Sequence, residues 1–166
     1  MKRIYFNSEN LKNTHDIQDD EYFNVDNQLQ YLLQFEKNEI CDTSLNKLIK
    51  REIGKKISSY KSQDKKNGKY DEEKHISYQQ LLEKLTSSQL KCYYCNSTLY
   101  LLYQKRGEPM QWSLERFDNN LGHYDSNTCI SCLKCNLQRR TSNHEYFKFS
   151  KSFWIIKTNI NSNYQI

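Results

Sequence analysis

Two pairs of cysteines, Cys92-x2-Cys95 and Cys132-x2-Cys135, stand 36 residues apart in a chain of 166, and that spacing constrains the fold more than any other feature. A C-x2-C turn puts two sulfurs on one side of an ion, so two such turns close a tetrahedral shell around zinc. Four thiolates leave no open coordination position, which makes the metal a structural staple rather than a reagent. Cys129 offers a competing pair, because Cys129-x2-Cys132 has the same spacing. It lies in "NTCIS", an alternating stretch that reads as a short strand with the cysteine packed as a small hydrophobe. Cys132 and Cys135 are therefore the preferred ligands, and Cys41, without a partner in pattern, reads as structural.

A staple suits this composition. Only 36% of the residues are hydrophobic, so the apolar core is modest and a bound metal would help to hold it together. Thirteen tyrosines and seven phenylalanines supply most of the bulky apolar surface. No apolar run approaches the roughly 20 residues that span a bilayer, and "MKRIYFNSEN" lacks the apolar region of a secretory signal. The expectation is an intracellular protein, cytoplasmic or nuclear, in whose reducing surroundings paired cysteines bind metal rather than form disulfides.

Charge is unevenly spread. Residues 1–46 carry 4 basic and 9 acidic side chains, net −5, whereas residues 47–70 carry 9 basic and 2 acidic, net +7. A basic block of this density points to a polyanionic partner, with a solvated lysine-rich helix face as the alternative. Lys55, Lys56, Lys61, Lys65, Lys66 and Lys69 are the candidate phosphate contacts within it.

The chain divides into four stretches. Residues 1–24 read as a polar, acidic arm that orders against something else, such as a protein partner. Residues 25–90 read as helical, with the basic segment 47–70 inside them. Asp26 is a candidate cap for a helix bearing Leu29, Leu32 and Leu33 on one face, and Ser44 for a second bearing Leu45, Leu48, Ile49 and Ile53. Residues 58–74 read as a basic loop with a turn at Asn67-Gly68. Ser77 and Gln80 form a capping-box pattern before Leu81, Leu82 and Leu85, predicting a third helix that ends near Ser87 and Ser88. Residues 91–145 form the cysteine-bearing core, and 146–166 an aromatic extension that covers its back through Tyr146, Phe147, Phe149, Phe153, Trp154, Ile155 and Ile156.

Within the core, "QWSLERFDNNLGHYDSNTCIS" alternates at Trp112, Leu114 and Arg116, turns through Asp118-Asn119-Asn120 and Gly122, and returns to an alternating run before "LKCNLQRR". This reads as strand, loop, strand, helix. The run from the first cysteine pair through "SLERFDNNLGH", "SN" and "CLKCNLQRR" resembles the zinc-stapled HNH nucleases. It is closest to the subgroup reading L-[DE]-R-[IF]-D-N-x2-G-H, familiar from phage and large-virus proteins, so a virus-encoded origin is an expectation. The resemblance covers residues 91–141 by motif. It implies an α+β fold built on a small zinc-bound ββα-metal core, with the helical, basic region preceding it.

By the same resemblance, Glu115 and Asn136 hold a catalytic divalent ion, Mg2+ or Mn2+, and Asn127 braces the loop. Arg139 and Arg140, further along the helix, are expected to meet phosphate oxygens. At the position of the family's water-activating histidine this chain carries Arg116, which stays protonated at physiological pH and makes a poor base. His123, after the Gly122 turn, is the nearest proton acceptor, with packing of the loop as its other reading. Arg116 would neutralise charge in the transition state, or pair with Glu115, Asp118 or Asp125 on the strand surface. The function implied is metal-dependent cleavage of nucleic acid, DNA more than RNA and double-stranded DNA in particular. The alternative is a non-catalytic nucleic-acid-binding or assembly module on the same scaffold.

Overall fold

The computed structural model describes residues 20–162, with side chains through residue 153. Residues 1–19 of the expected arm, and the side chains of Trp154, Ile155 and Ile156, lie outside that description. Among the described residues the chain is mixed helix and strand, with five α-helices and one two-stranded sheet. No helix among them is long and apolar enough to cross a membrane.

A 3-10 turn at Asp20–Phe23 leads into helix α1, Val25–Glu36. Asn24, rather than Asp26, caps α1 by accepting from the Asp26 amide, and Asp42, rather than Ser44, caps α2 by accepting from the amides of Ser44 and Leu45. In each case the cap stands two residues earlier than expected, because a cap acceptor reaches forward to the free N–H groups of the first turn. Helix α2 runs Thr43–Lys66, so residues 58–66 are helical and not a loop. It stops at Asn67 and Gly68, where the glycine's φ of +65° permits the left-handed turn that ends a helix. Helix α3, Tyr78–Ser87, opens on a complete Ser77–Gln80 capping box and buries Leu81, Leu82 and Leu85.

Strand β1, Trp112–Arg116, pairs antiparallel with β2, Thr128–Cys132, in a register that sets Glu115 opposite Cys129 and Trp112 opposite Cys132. Helix α4, Leu133–Arg139, follows β2 directly, with Cys132 as its cap. Helix α5 spans His144–Ser162. A single buried cluster runs from Leu32 to Cys135, so the helical and cysteine-bearing regions share one core. Gln28 ties them together from α1. Its Oε1 accepts from the amides of Leu101 and Leu102 and its Nε2 donates to the Leu102 carbonyl, satisfying loop groups that burial would otherwise leave unpaired.

The aromatic extension covers the core only in part. Phe147 packs edge-on against Tyr94, whereas Tyr146, Phe149 and Phe153 are 78%, 61% and 54% exposed. A helix turns through about 100° per residue, so residues on either side of Phe147 cannot follow it inward.

Candidate functional site

The four paired cysteines converge: their sulfurs all lie within 4.8 Å of one another. Sulfurs of a tetrahedron with Zn–S bonds of about 2.3 Å stand about 3.8 Å apart, and Cys95 Sγ is 3.9 Å from Cys132 Sγ. The donors and their spacing thus suit a zinc ion. Backbone amides add support, since Cys132 N–H donates to Cys92 Sγ and Cys135 N–H to Cys132 Sγ, each at 3.2 Å. Crowding drives the acidities of the thiols apart. Bonds from Cys132 and Cys135 pull Cys92 down to about 2, while bonds with Cys132 and Cys92 push Cys135 up. A divalent cation removes the repulsion that keeps such thiols from ionising together. Cys129 is not a member of the group; burial pushes its thiol up to about 12, as expected of an inert packed cysteine.

A second set of polar groups lines an open cleft between α2, β1, α4 and the loop that joins the strands. Ser113, Glu115, Arg116, His123, Asn136 and Arg140 all border it, with Tyr60 and Lys69. The alternation of β1 puts Ser113 and Glu115 on one side of the strand. Asn136, on the first turns of α4, donates through Nδ2 to Ser113 Oγ at 2.9 Å. That bond fixes the amide and leaves Oδ1 without a hydrogen-bond partner among the described residues. Glu115 is 5% exposed, and its Oε1 receives both Arg139 Nε, at 2.7 Å, and Arg139 Nη2. Burial holds the Glu115 carboxyl above the usual range, and Arg139 pulls it back. Among the described residues its Oε2 has no hydrogen-bond partner.

Arg139 itself is 1% exposed. Besides Glu115 it donates to the carbonyls of Arg116 and Ser142 and to Asn119 Oδ1. Its guanidinium is saturated inside the protein, which corrects the expectation that it reaches phosphate. Arg140, the next residue, is exposed and borders the cleft.

His123 is 3% exposed, stacks on Tyr60 with ring centroids 4.6 Å apart, and sets Nδ1 2.8 Å from Asp64 Oδ1. The same aspartate accepts the His123 backbone N–H through Oδ2 at 2.6 Å. Arg116 Nη1 lies 3.7 Å from Asp64 Oδ1 and donates to the Leu121 carbonyl at 3.2 Å. His75 approaches Asp64 Oδ2 to 3.6 Å. One fully buried carboxylate thus faces two imidazoles and a guanidinium. Desolvation outweighs its attraction at His123 and pushes the imidazole down to about 4, so the ring is neutral at physiological pH. Gly122 makes the approach possible, for a Cβ there would stand 2.5 Å from the Lys69 carbonyl and 3.0 Å from Asp64 Oδ2. Asn127 braces the loop by accepting from the Asp118 amide and donating to the carbonyls of Asp118 and Gly122.

The six lysines do not act as one patch. Lys55 and Lys69 border the cleft, and Lys66, eleven residues beyond Lys55, returns to within about 20° of it around α2. Lys61 and Lys65 both lie 5.0 Å from the ring of Tyr70. Lys56 is committed elsewhere. Its Nζ donates to the Trp112 carbonyl and to Gln111 Oε1, sits 4.2 Å from the Trp112 ring, and is 4.0 Å from buried Glu52. Burial pushes this amine down to about 7. It holds β1 to α2, which corrects its assignment as a phosphate contact.

Asp64, Tyr60, Ser113 and His75 are not singled out by motif or spacing in the sequence. A signal for the two on α2 exists nonetheless: Tyr60 and Asp64 fall eight and twelve residues after buried Glu52, on the same side of the helix. No known family model, curated protein or solved structure matches the chain.

Proposed function

We propose that this chain is a metal-dependent nuclease of the HNH kind its motif resembles, hydrolysing phosphodiester bonds of nucleic acid, with double-stranded DNA as the expected substrate. The observation that carries the reading is the meeting of three groups in one cleft: Glu115 Oε2 and Asn136 Oδ1, both oxygens without partners among the described residues, and His123 seated on Asp64. Two oxygen donors suit Mg2+ or Mn2+, which keep several waters and take the rest of their ligands from the substrate's phosphate. Bound there, such an ion would polarise the scissile phosphate and stabilise the leaving oxygen. Asp64 accepts from His123 Nδ1, which leaves Nε2 as the lone-pair nitrogen that takes a proton from water. Arg116, held beside Asp64 by the Leu121 carbonyl, supplies a permanent cation for charge that develops on the phosphate. Lys55, Lys66, Lys69 and Arg140 bind the flanking backbone without reading sequence.

The Glu115–Arg139 pair favours a second reading, a zinc-bound nucleic-acid-binding module. Arg139 already compensates the carboxylate that would attract the cation. Supercoiled plasmid incubated with Mg2+ or Mn2+ separates the two. The nuclease reading expects nicking by the native chain, lost in Asn136→Ala and His123→Ala while DNA binding persists. Binding without cleavage under every divalent ion leaves the second reading standing.

A further inference from the structure

Tyr60 stands where α2 meets β1, and it touches both halves of the cleft. On one side its ring stacks on His123, with centroids 4.6 Å apart and an interplanar angle of 27°. Stacking of that kind fixes the plane of the neighbouring ring as well as burying it. On the other side its hydroxyl accepts the Leu114 backbone N–H at 2.9 Å. The bonded residues of β1 are the odd-numbered ones, since Leu133 N–H donates to the Gln111 carbonyl and Phe117 N–H to that of Asn127. Leu114 therefore points its N–H off the sheet edge toward α2, where burial would leave it unpaired without the tyrosine.

A further contact links Tyr60 to the metal-binding side of the cleft. Burial pushes its hydroxyl above the ordinary tyrosine value, against the bonds from the Leu114 amide and the Ser113 side chain, so it stays un-ionised. Ser113 is also the residue that receives Asn136 Nδ2, at 2.9 Å. A serine hydroxyl has a single proton. Given to the Tyr60 oxygen, that proton leaves Ser113 Oγ as an acceptor, and only the NH2 end of the Asn136 amide can face an acceptor. The oxygen end is then turned to the cleft. A reversed amide would set two N–H donors where a cation is to bind. We propose that Tyr60 is a positioning residue for both arms of the site, an inference that rests on the nuclease reading: through Ser113 it selects which end of Asn136 meets the divalent ion, and through its ring it holds His123 in the orientation that the bond to Asp64 requires. It acts through Asn136 and His123 and is itself neither a ligand nor a proton acceptor.

Calorimetric titration of Mn2+ into the zinc-loaded full chain, beside single-turnover cleavage at saturating Mn2+, separates the two arms. Tyr60→Phe keeps the ring and removes the hydroxyl. It should weaken Mn2+ binding about tenfold, the usual effect of removing a group that orients a metal ligand, while cleavage at saturating Mn2+ stays within about threefold of native. Ser113→Ala should do the same with the Leu114 bond intact, which keeps the test valid if Tyr60→Phe folds poorly. Tyr60→Leu removes the stack as well, and should lower cleavage at saturating Mn2+ by about 10²-fold, as misplacing a reacting group by about 1 Å does. With Asn136→Asp in place, Tyr60→Phe and Ser113→Ala should weaken Mn2+ binding no further, because a carboxylate offers an oxygen whichever way it turns. A residue that merely supported the fold would keep its effect in that background. Native Mn2+ affinity in both Tyr60→Phe and Ser113→Ala, or Tyr60→Leu cutting as fast as Tyr60→Phe, would overturn the inference and leave the nuclease reading in place. A native chain that neither holds Mn2+ nor cuts would remove both.

Discussion

His123 Nδ1 and Asp64 Oδ1 lie 2.8 Å apart across 59 residues of sequence, and the carboxylate has no exposure to solvent. The aspartate decides which imidazole nitrogen carries the proton. Asp64→Asn should lower cleavage by about 10²- to 10⁴-fold, because an amide that donates to Nδ1 forces the proton onto Nε2 and removes the acceptor. DNA affinity should stay within about twofold, since Asp64 is out of reach of a phosphate. Single-turnover cleavage and filter binding on the same samples check both halves. A variant that cuts at the native rate would leave His123 as a packing residue.

The pH dependence follows from the burial of His123. Its folded pKa, about 4, lies below the ordinary value of 6.5, so the unfolded chain binds more protons than the folded chain between those values. Stability should therefore fall as pH drops from about 6.5 toward 4. Cleavage should likewise persist below pH 6, with its acid limb near 4 rather than near 6.5. Thermal melts and initial rates from pH 4 to 8 measure this, and His123→Gln should flatten the stability slope across that window.

Removal of the metal should unfold the cysteine-bearing region. Cys92, Cys132 and Cys135 are all buried, and Cys132 also caps α4, the helix that carries Asn136. In small zinc-held units the binding energy, about 10–16 kcal/mol, is largely folding energy. Chelation, or Cys132→Ser, should abolish the cooperative melt of this region and release about one zinc per chain. Retention of the native melting curve by a zinc-free sample would remove the staple from the account.

Much of this is legible in the sequence. The cysteine spacing locates the four-cysteine cluster, the capping box locates α3, and the alternation at Trp112, Leu114 and Arg116 locates β1. Apolar periodicity fails at residues 58–66, where the buried stripe of α2 passes from Ile53 to Tyr60 and Asp64. A polar residue at a buried helix position looks like solvent-facing sequence until its partner is known. Lys56 finds the Trp112 carbonyl and Asp64 finds His123, both far along the chain. Arg139 misleads for a related reason. An arginine near a helix end looks available to phosphate unless the strand behind it carries a buried carboxylate.

Separating the lysines by role gives a test with opposite outcomes. Replacing Lys55 and Lys66 with Gln should reduce the salt dependence of DNA binding by about 0.9 in log–log slope for each phosphate that is no longer neutralised. The melting temperature should hardly change. Lys56→Gln should do the reverse, because its side chain is 12% exposed and its amine is anchored on Trp112 and Glu52. An unchanged slope in the first variant would place those lysines on a merely solvated face.

The Glu115–Arg139 pair governs both stability and the choice between the two functions. Arg139→Met leaves a carboxylate buried without its counter-ion and should cost about 3–5 kcal/mol. Glu115, which burial already raises, would then rise further, so the variant's folded form holds a proton that the unfolded chain releases. Its stability deficit should accordingly be small near pH 5 and grow as pH climbs through the raised pKa. Adding Glu115→Gln should recover a large part of the loss, since the uncompensated charge is gone; additive effects in that double-mutant cycle would mean the two side chains are not coupled. The same substitution bears on the metal. With Arg139 gone, Glu115 should hold Mn2+ more tightly at pH 8, measured by calorimetry on the zinc-loaded chain, if its free oxygen is a ligand. Affinity that does not change on loss of Arg139, beside intact DNA binding, would favour the module that binds nucleic acid without cutting it.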